Sequence, residues 1–160
     1  MMVAFIDILP PATIVELDEL ERYAELTFPE AYQQHLKSYN GGRCEPSVFH
    51  FIENGNATSS TVDWFLPTRK ESWGSVRDYI ETYKIDEKRL PFGLLPIAHD
   101  PGGNLICLSC EKDDVGSAYF WDHETEVDYN TEDDSVRTNL YHIANSLPQF
   151  LASLVEELLD

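Results

Sequence analysis

Two short apolar runs, Leu94 to Ala98 and Asn104 to Cys110, bracket the tetrapeptide Asp100-Pro101-Gly102-Gly103. The glycines permit positive φ, so the segment reads as an antiparallel hairpin. The next turn, Asp113-Asp114-Val115-Gly116, leads into an aromatic strand from Ser117 to Trp121. Earlier β-like runs at Ser47 to Ile52 and Thr61 to Leu66 are separated by Asn54-Gly55-Asn56.

Helical patterns surround these strands. Thr13 and Glu16 form a capping box ahead of Ile14, Leu17, Leu20 and Ala24. Thr27 and Glu30 repeat the box around Pro29, with Phe28, Tyr32, Leu36 and Tyr39 as the apolar stripe and Asn40-Gly41-Gly42 as the C-cap. From Trp73 a third helix is expected, with Val76, Tyr79, Ile80 and Tyr83 on one face and Gly74 weakening its first turn. Ser146 and Gln149 frame a last capping box, followed by Leu147, Phe150, Leu151, Leu154, Val155 and Leu158. Thr131 to Thr138, whose one apolar residue is Val136, is expected to be a mobile loop. The order predicts an α+β fold: a mainly antiparallel sheet flanked by helices at the N- and C-termini. With 160 residues, a single domain over 1–160 is expected.

Between Glu111 and Asp134 stand ten carboxylates against one cation, Lys112, which is half of the net charge of -18. Tyr119, Phe120, Trp121 and Tyr129 in the same stretch argue for folded surface. An anionic face attracts cationic partners and repels nucleic acids and anionic membranes, so a basic protein is the simplest partner; the alternative is a surface that only confers solubility. Six of the eleven basic residues lie between Arg69 and Arg89, interleaved with acids, a pattern of a solvated face. The N-terminus lacks a cationic n-region, no apolar run reaches a membrane span, and three cysteines suit a reducing compartment. The expected location is cytoplasmic.

Motifs for chemistry are sparse. Cys107 and Cys110 have C-x-x-C spacing, but an odd separation in a strand sends them to opposite faces. Zinc would need further ligands from Cys44, His99 or His123, and no second pair is spaced for it. His99-Asp100 and Asp122-His123-Glu124 put imidazoles beside carboxylates, without a nucleophile elbow or comparable context. Gly102-Gly103-Asn104 lacks phosphate-loop spacing, and Asp113 or the run Glu132 to Asp134 lacks the alternation of a calcium loop. No cofactor, metal or catalytic residue is expected.

Several segments together resemble the SUKH superfamily, which groups bacterial toxin-immunity proteins with the yeast regulator of cell-wall assembly. They are Leu26-Thr27-Phe28-Pro29 with Tyr32 and Leu36, Asn40-Gly41-Gly42, Leu94 to Ala98 with Asp100 and Gly103-Asn104, Gly116, Tyr119, Trp121-Asp122-His123-Glu124, and Ser146-Leu147 with Phe150-Leu151. The resemblance spans about residues 13–155. It implies an α+β fold without known catalytic residues, in which the matched positions build core and turns. It also implies binding and neutralisation of a cognate toxin, often a nuclease, but transfers no binding surface.

From this chain itself, Trp64, Trp73, Trp121, Asp113, Asp114, Asp122 and Glu124 are the candidate contact residues. Aromatic side chains would anchor the partner and carboxylates would steer it. For each tryptophan the alternative is the core, for Asp122 a turn cap, and for Glu124 plain surface. The alternative function is an adaptor or regulatory module that binds an endogenous protein.

Overall fold

The computed structural model describes residues 3–125 and 139–158. The chain opens with β1 (Ala4–Ile6), α1 (Ile14–Ala24), α2 (Glu30–Ser38) and β2 (Arg43–Glu45). Next come β3 (Val48–Glu53), β4 (Asn56–Thr61), β5 (Trp64–Phe65) and α3 (Val76–Tyr79), which continues as a π-helical segment, Ile80–Asp86. β6 (Leu94–His99), β7 (Leu105–Ser109), β8 (Ala118–Trp121), a 3-10 turn at His123–Thr125, β9 (Leu140–Ala144) and α4 (Leu147–Ala152) complete it. The expected loop at Thr131 to Thr138 lies outside the described residues, as does the acidic stretch beyond Thr125.

β5 to β9 form one antiparallel meander in sequence order, with hairpin β3-β4 and ribbon β1-β2 beside it. The fold is α+β, as the order of elements predicts. The Asp100 turn joins β6 to β7 as expected. Its buried carboxylate accepts the Gly102 and Asn104 backbone N–H groups at 2.9 and 2.8 Å, Asn104 Nδ2 at 3.0 Å and the Ser60 hydroxyl at 2.9 Å. Pro96, which has no N–H to give a ladder, sits beside a register shift between Pro96 and Ala98.

The capping box at Thr13 and Glu16 forms on both sides. At α2 it does not. Pro29 is the N-cap and makes no side-chain cap bond, while the Glu21 carboxylate takes the Phe28 N–H at 2.7 Å. Gly41 and Gly42 do adopt positive φ, but α2 has already ended at Ser38 with Tyr39 as its cap. They serve a close crossing instead: a Cβ on Gly42 would lie 2.5 Å from the Ile6 carbonyl oxygen, and one on Gly41 2.8 Å from Pro67 Cβ.

Three element boundaries differ from the sequence reading. Strand β4 begins at Asn56, because Asn54 and Gly55, both at positive φ, turn the chain tightly enough to pair Glu53 with Asn56. Trp73 and Gly74 precede α3, which Ser75 caps by accepting the Asp78 N–H at 3.1 Å. α4 ends at Ala152, and Val155 returns to exchange two backbone hydrogen bonds with Val48.

Both faces of the meander are covered. One carries Leu95, Ile97, Ile106, Leu108 and Phe120 into the main core, against Leu17, Tyr32, Leu36, Phe49 and Phe150. The other carries Leu94, Leu105, Cys107, Trp121 and Leu140 into a second cluster with Leu90, closed by Tyr79 and Tyr83. This double coverage explains why β7 is buried throughout and apolar from Leu105 to Leu108, where a half-exposed antiparallel strand would alternate.

Candidate functional site

β5 and the loop before α3 bring two of the candidate tryptophans together. Trp64 lies opposite His99 in the β5-β6 register, and its ring stacks on Trp73 with centroids 4.1 Å apart and planes 18° from parallel. Arg43, on β2, holds its guanidinium 4.8 Å from the Trp64 centroid and 3.3 Å from the Asp63 carboxylate. His99 faces the Trp73 carbonyl at 3.2 Å and stacks on Tyr79. Both tryptophans are half-buried, and the Trp73 indole nitrogen is itself buried. Stacking of this kind contributes about 0.5–1.5 kcal/mol beyond area burial and presents a rigid aromatic platform.

Trp121 takes the core alternative. It is completely buried, packed among the second cluster with the Tyr83 ring edge-on at 5.6 Å and the Arg89 guanidinium at 5.1 Å. The alternation of β8 sends Trp121 to the second cluster and Phe120 to the main core. Asp114 is likewise engaged: its carboxylate accepts the Ser109 and Tyr119 hydroxyls at 2.5 Å each and ties the β7-β8 turn. Asp113 and Glu124 are exposed, and Asp122 accepts the Glu124 N–H at 2.9 Å as a turn cap. The four acids flank β8 at its two ends, Asp113 and Asp114 in the turn before Ala118 and Asp122 and Glu124 after Trp121.

The match to known proteins now decides the family. The SMI1 / KNR4 family (SUKH-1) model matches residues 11–153. The chain belongs to the SUKH-1 family. A curated relative, the SPbeta prophage-derived uncharacterized protein YokK of Bacillus subtilis (strain 168), is 28% identical over 165 aligned positions, covering 89% of this chain and 74% of that one. SUKH-1 membership supports, in general terms, a protein-binding role of the toxin-immunity or regulatory kind.

The positions that carry the resemblance have structural tasks in this SUKH-1 chain. Asn40 is wholly buried and donates to the Pro10 carbonyl at 3.0 Å, Asp100 holds its turn, and Leu95, Ile97, Leu147 and Phe150 fill the main core. Cys107, on β7, lies in the second cluster, and Cys110, one residue past the end of that strand, packs against the first. Burial pushes all three thiols up to about 12, which leaves them neutral and poorly nucleophilic. Among the described residues no group of three His, Cys, Asp or Glu side chains is placed to hold a metal ion. The adjacent His–Asp pairs do not become dyads. The His99 ring nitrogen lies 3.7 Å from Asp63, and His123 Nδ1 faces the Asn104 amide oxygen at 2.6 Å.

Sequence reasoning did not find Arg43, Asp63 or His99 as neighbours of the tryptophan pair. No spacing announces them, since positions 43, 64, 73 and 99 meet only through the pairing of β5 with β6 and the crossing at Gly42, whose carbonyl accepts the Phe65 N–H at 2.8 Å.

Proposed function

We propose that this SUKH-1 protein is a non-enzymatic immunity protein, acting in the cytoplasm, that binds and neutralises a cognate basic bacterial toxin such as a nuclease. The observation that carries the reading is the family match over residues 11–153, joined to a net charge of -18. A nuclease toxin presents a cationic surface to a polyanionic substrate, and an acidic protein competes for that surface. The prophage origin of a relative fits a chain carried with mobile genes.

The contact is assigned to the Trp64–Trp73 platform as anchor, with Asp113 and Glu124 steering the approach. Asp122 and Asp114 support these positions through their turns, and Trp121 supports the fold. The same family name also covers regulators, so the second reading is an adaptor for an endogenous protein. Co-expression separates the two. A toxin domain encoded beside the gene should arrest growth alone and bind this chain stoichiometrically, with growth restored, when both are present. Persistent arrest and no complex, or no toxin gene in the neighbourhood, would overturn the immunity reading in favour of the adaptor.

A further inference from the structure

A cavity of about 450 Å³ opens between the C-terminal end of α1 and the segment from the π-helical turn to Phe92. Its size falls in the roughly 300–1,000 Å³ range of small-molecule sites. The apolar lining includes Ala24, Ile80, Leu90, Ile85 and Phe92, of which the last two leave 43% and 61% of their surface uncovered.

Two ammonium groups, those of Lys84 and Lys88, line the same cavity in a chain whose overall charge is -18. Lys84 donates to the Pro91 carbonyl at 3.1 Å and to the Phe92 carbonyl, which employs two of its three N–H groups. Among the described residues neither lysine forms an ion pair with a carboxylate. Of the described lining residues one is an acid, Glu25, which is exposed; from outside the lining Glu111 acts on Lys84, and Glu81 and Asp86 act on Tyr23. Burial pushes Lys84 down to about 8, outweighing the opposing influence of Cys107, Cys110 and the Glu111 carboxylate, which forms no ion pair with it.

We propose that this cavity binds a small amphipathic carboxylate, its anionic end on Lys84 and Lys88 and its apolar part against Ile85, Leu90 and Phe92. The charge complement is what selects the ligand class. An apolar cation would meet two like charges, and a neutral alcohol would leave the third Lys84 N–H without an ionic partner. The site shares no residue with the Trp64–Trp73 surface, and the inference does not depend on the toxin reading.

Calorimetric titration of the intact protein with decanoate, decylamine and decanol tests it. Decanoate is expected to bind, with decylamine weaker by about tenfold or more, and amide shifts on adding decanoate should centre on residues 23–25 and 80–92. Lys84→Met keeps the apolar stem and should weaken decanoate by about tenfold while leaving decanol unchanged. Since that variant also releases two carbonyls, Lys88→Glu at an exposed position is the companion: it should weaken decanoate and strengthen decylamine. Absence of decanoate binding at millimolar concentration, equal affinity for decylamine, shifts centred elsewhere, or indifference to Lys88→Glu would each overturn the proposal.

Discussion

Asn40 and Thr68 hold one another through two hydrogen bonds. The Asn40 amide donates to the Thr68 hydroxyl at 2.9 Å, and the Thr68 backbone N–H returns to the Asn40 side-chain oxygen, also at 2.9 Å. The Thr68 hydroxyl in turn donates to Glu16 at 3.1 Å, so the end of α2, the chain after β5 and the capping box of α1 form one polar junction that runs from buried Asn40 to the exposed Thr13.

Replacing Asn40 by Leu is therefore expected to cost about 2–4 kcal/mol, because the Pro10 carbonyl and Thr68 N–H lose partners inside the protein. Urea denaturation should show a lower midpoint with an unchanged slope. A double-mutant cycle with Thr68→Val should give a coupling of about 0.5–3 kcal/mol; additivity would deny the pairing.

Gly42 and Gly103 should differ in sensitivity although both have positive φ. An added Cβ at Gly42 meets the Ile6 carbonyl at 2.5 Å, whereas at Gly103 the nearest atom is 3.5 Å away on His123. Gly103→Ala is expected to cost about 1 kcal/mol of backbone strain, and Gly42→Ala clearly more, since backbone must move. Thermal melting of the two variants side by side makes the comparison.

His35 is buried among Phe5, Tyr39 and Phe65, and desolvation pushes it down to about 4 from an ordinary 6.5. The unfolded chain takes up a proton as pH falls through 6.5, while the folded chain resists until about 4. Stability attached to this group is thus complete above pH 6.5 and declines by about 3 kcal/mol by pH 4, at ~1.36 kcal/mol per unit. Denaturation of His35→Leu against the parent across this window should show a smaller acid loss in the variant. Parallel curves would refute the assignment.

Binding to the cognate partner should separate steering from anchoring. Asp113→Lys with Glu124→Lys is expected to slow association by about tenfold at low salt and to flatten its salt dependence. Trp64→Ala should chiefly raise the dissociation rate. Trp121→Ala should instead cost about 3–5 kcal/mol of stability, as a core deletion does. Stopped-flow kinetics with parallel melts reads all three; an unchanged association rate for the double reversal would make those acids a solubility feature.

The features legible in the sequence are those whose causes lie within a few residues. The Thr13–Glu16 box, the Asp100 turn, the Ser146 cap and the Asn54-Gly55 turn each close hydrogen bonds or positive-φ geometry locally, and with the apolar periodicities they determine the α+β order. The SUKH pattern was legible for the same reason, being built largely from such turns and core positions. Tertiary structure decided what those local rules leave open. The polar residues of β4 carry no strand signal and become a strand through register with β3. Leu158 continues a helical pattern that stops at Ala152 because Val155 pairs with Val48. All three tryptophans look alike in sequence, yet Trp121 is inside and Trp64 and Trp73 meet at the surface. Which face of a strand is covered, and which distant side chains converge on Trp64 or Lys84, depends on packing between elements far apart in the chain, and no local periodicity encodes it.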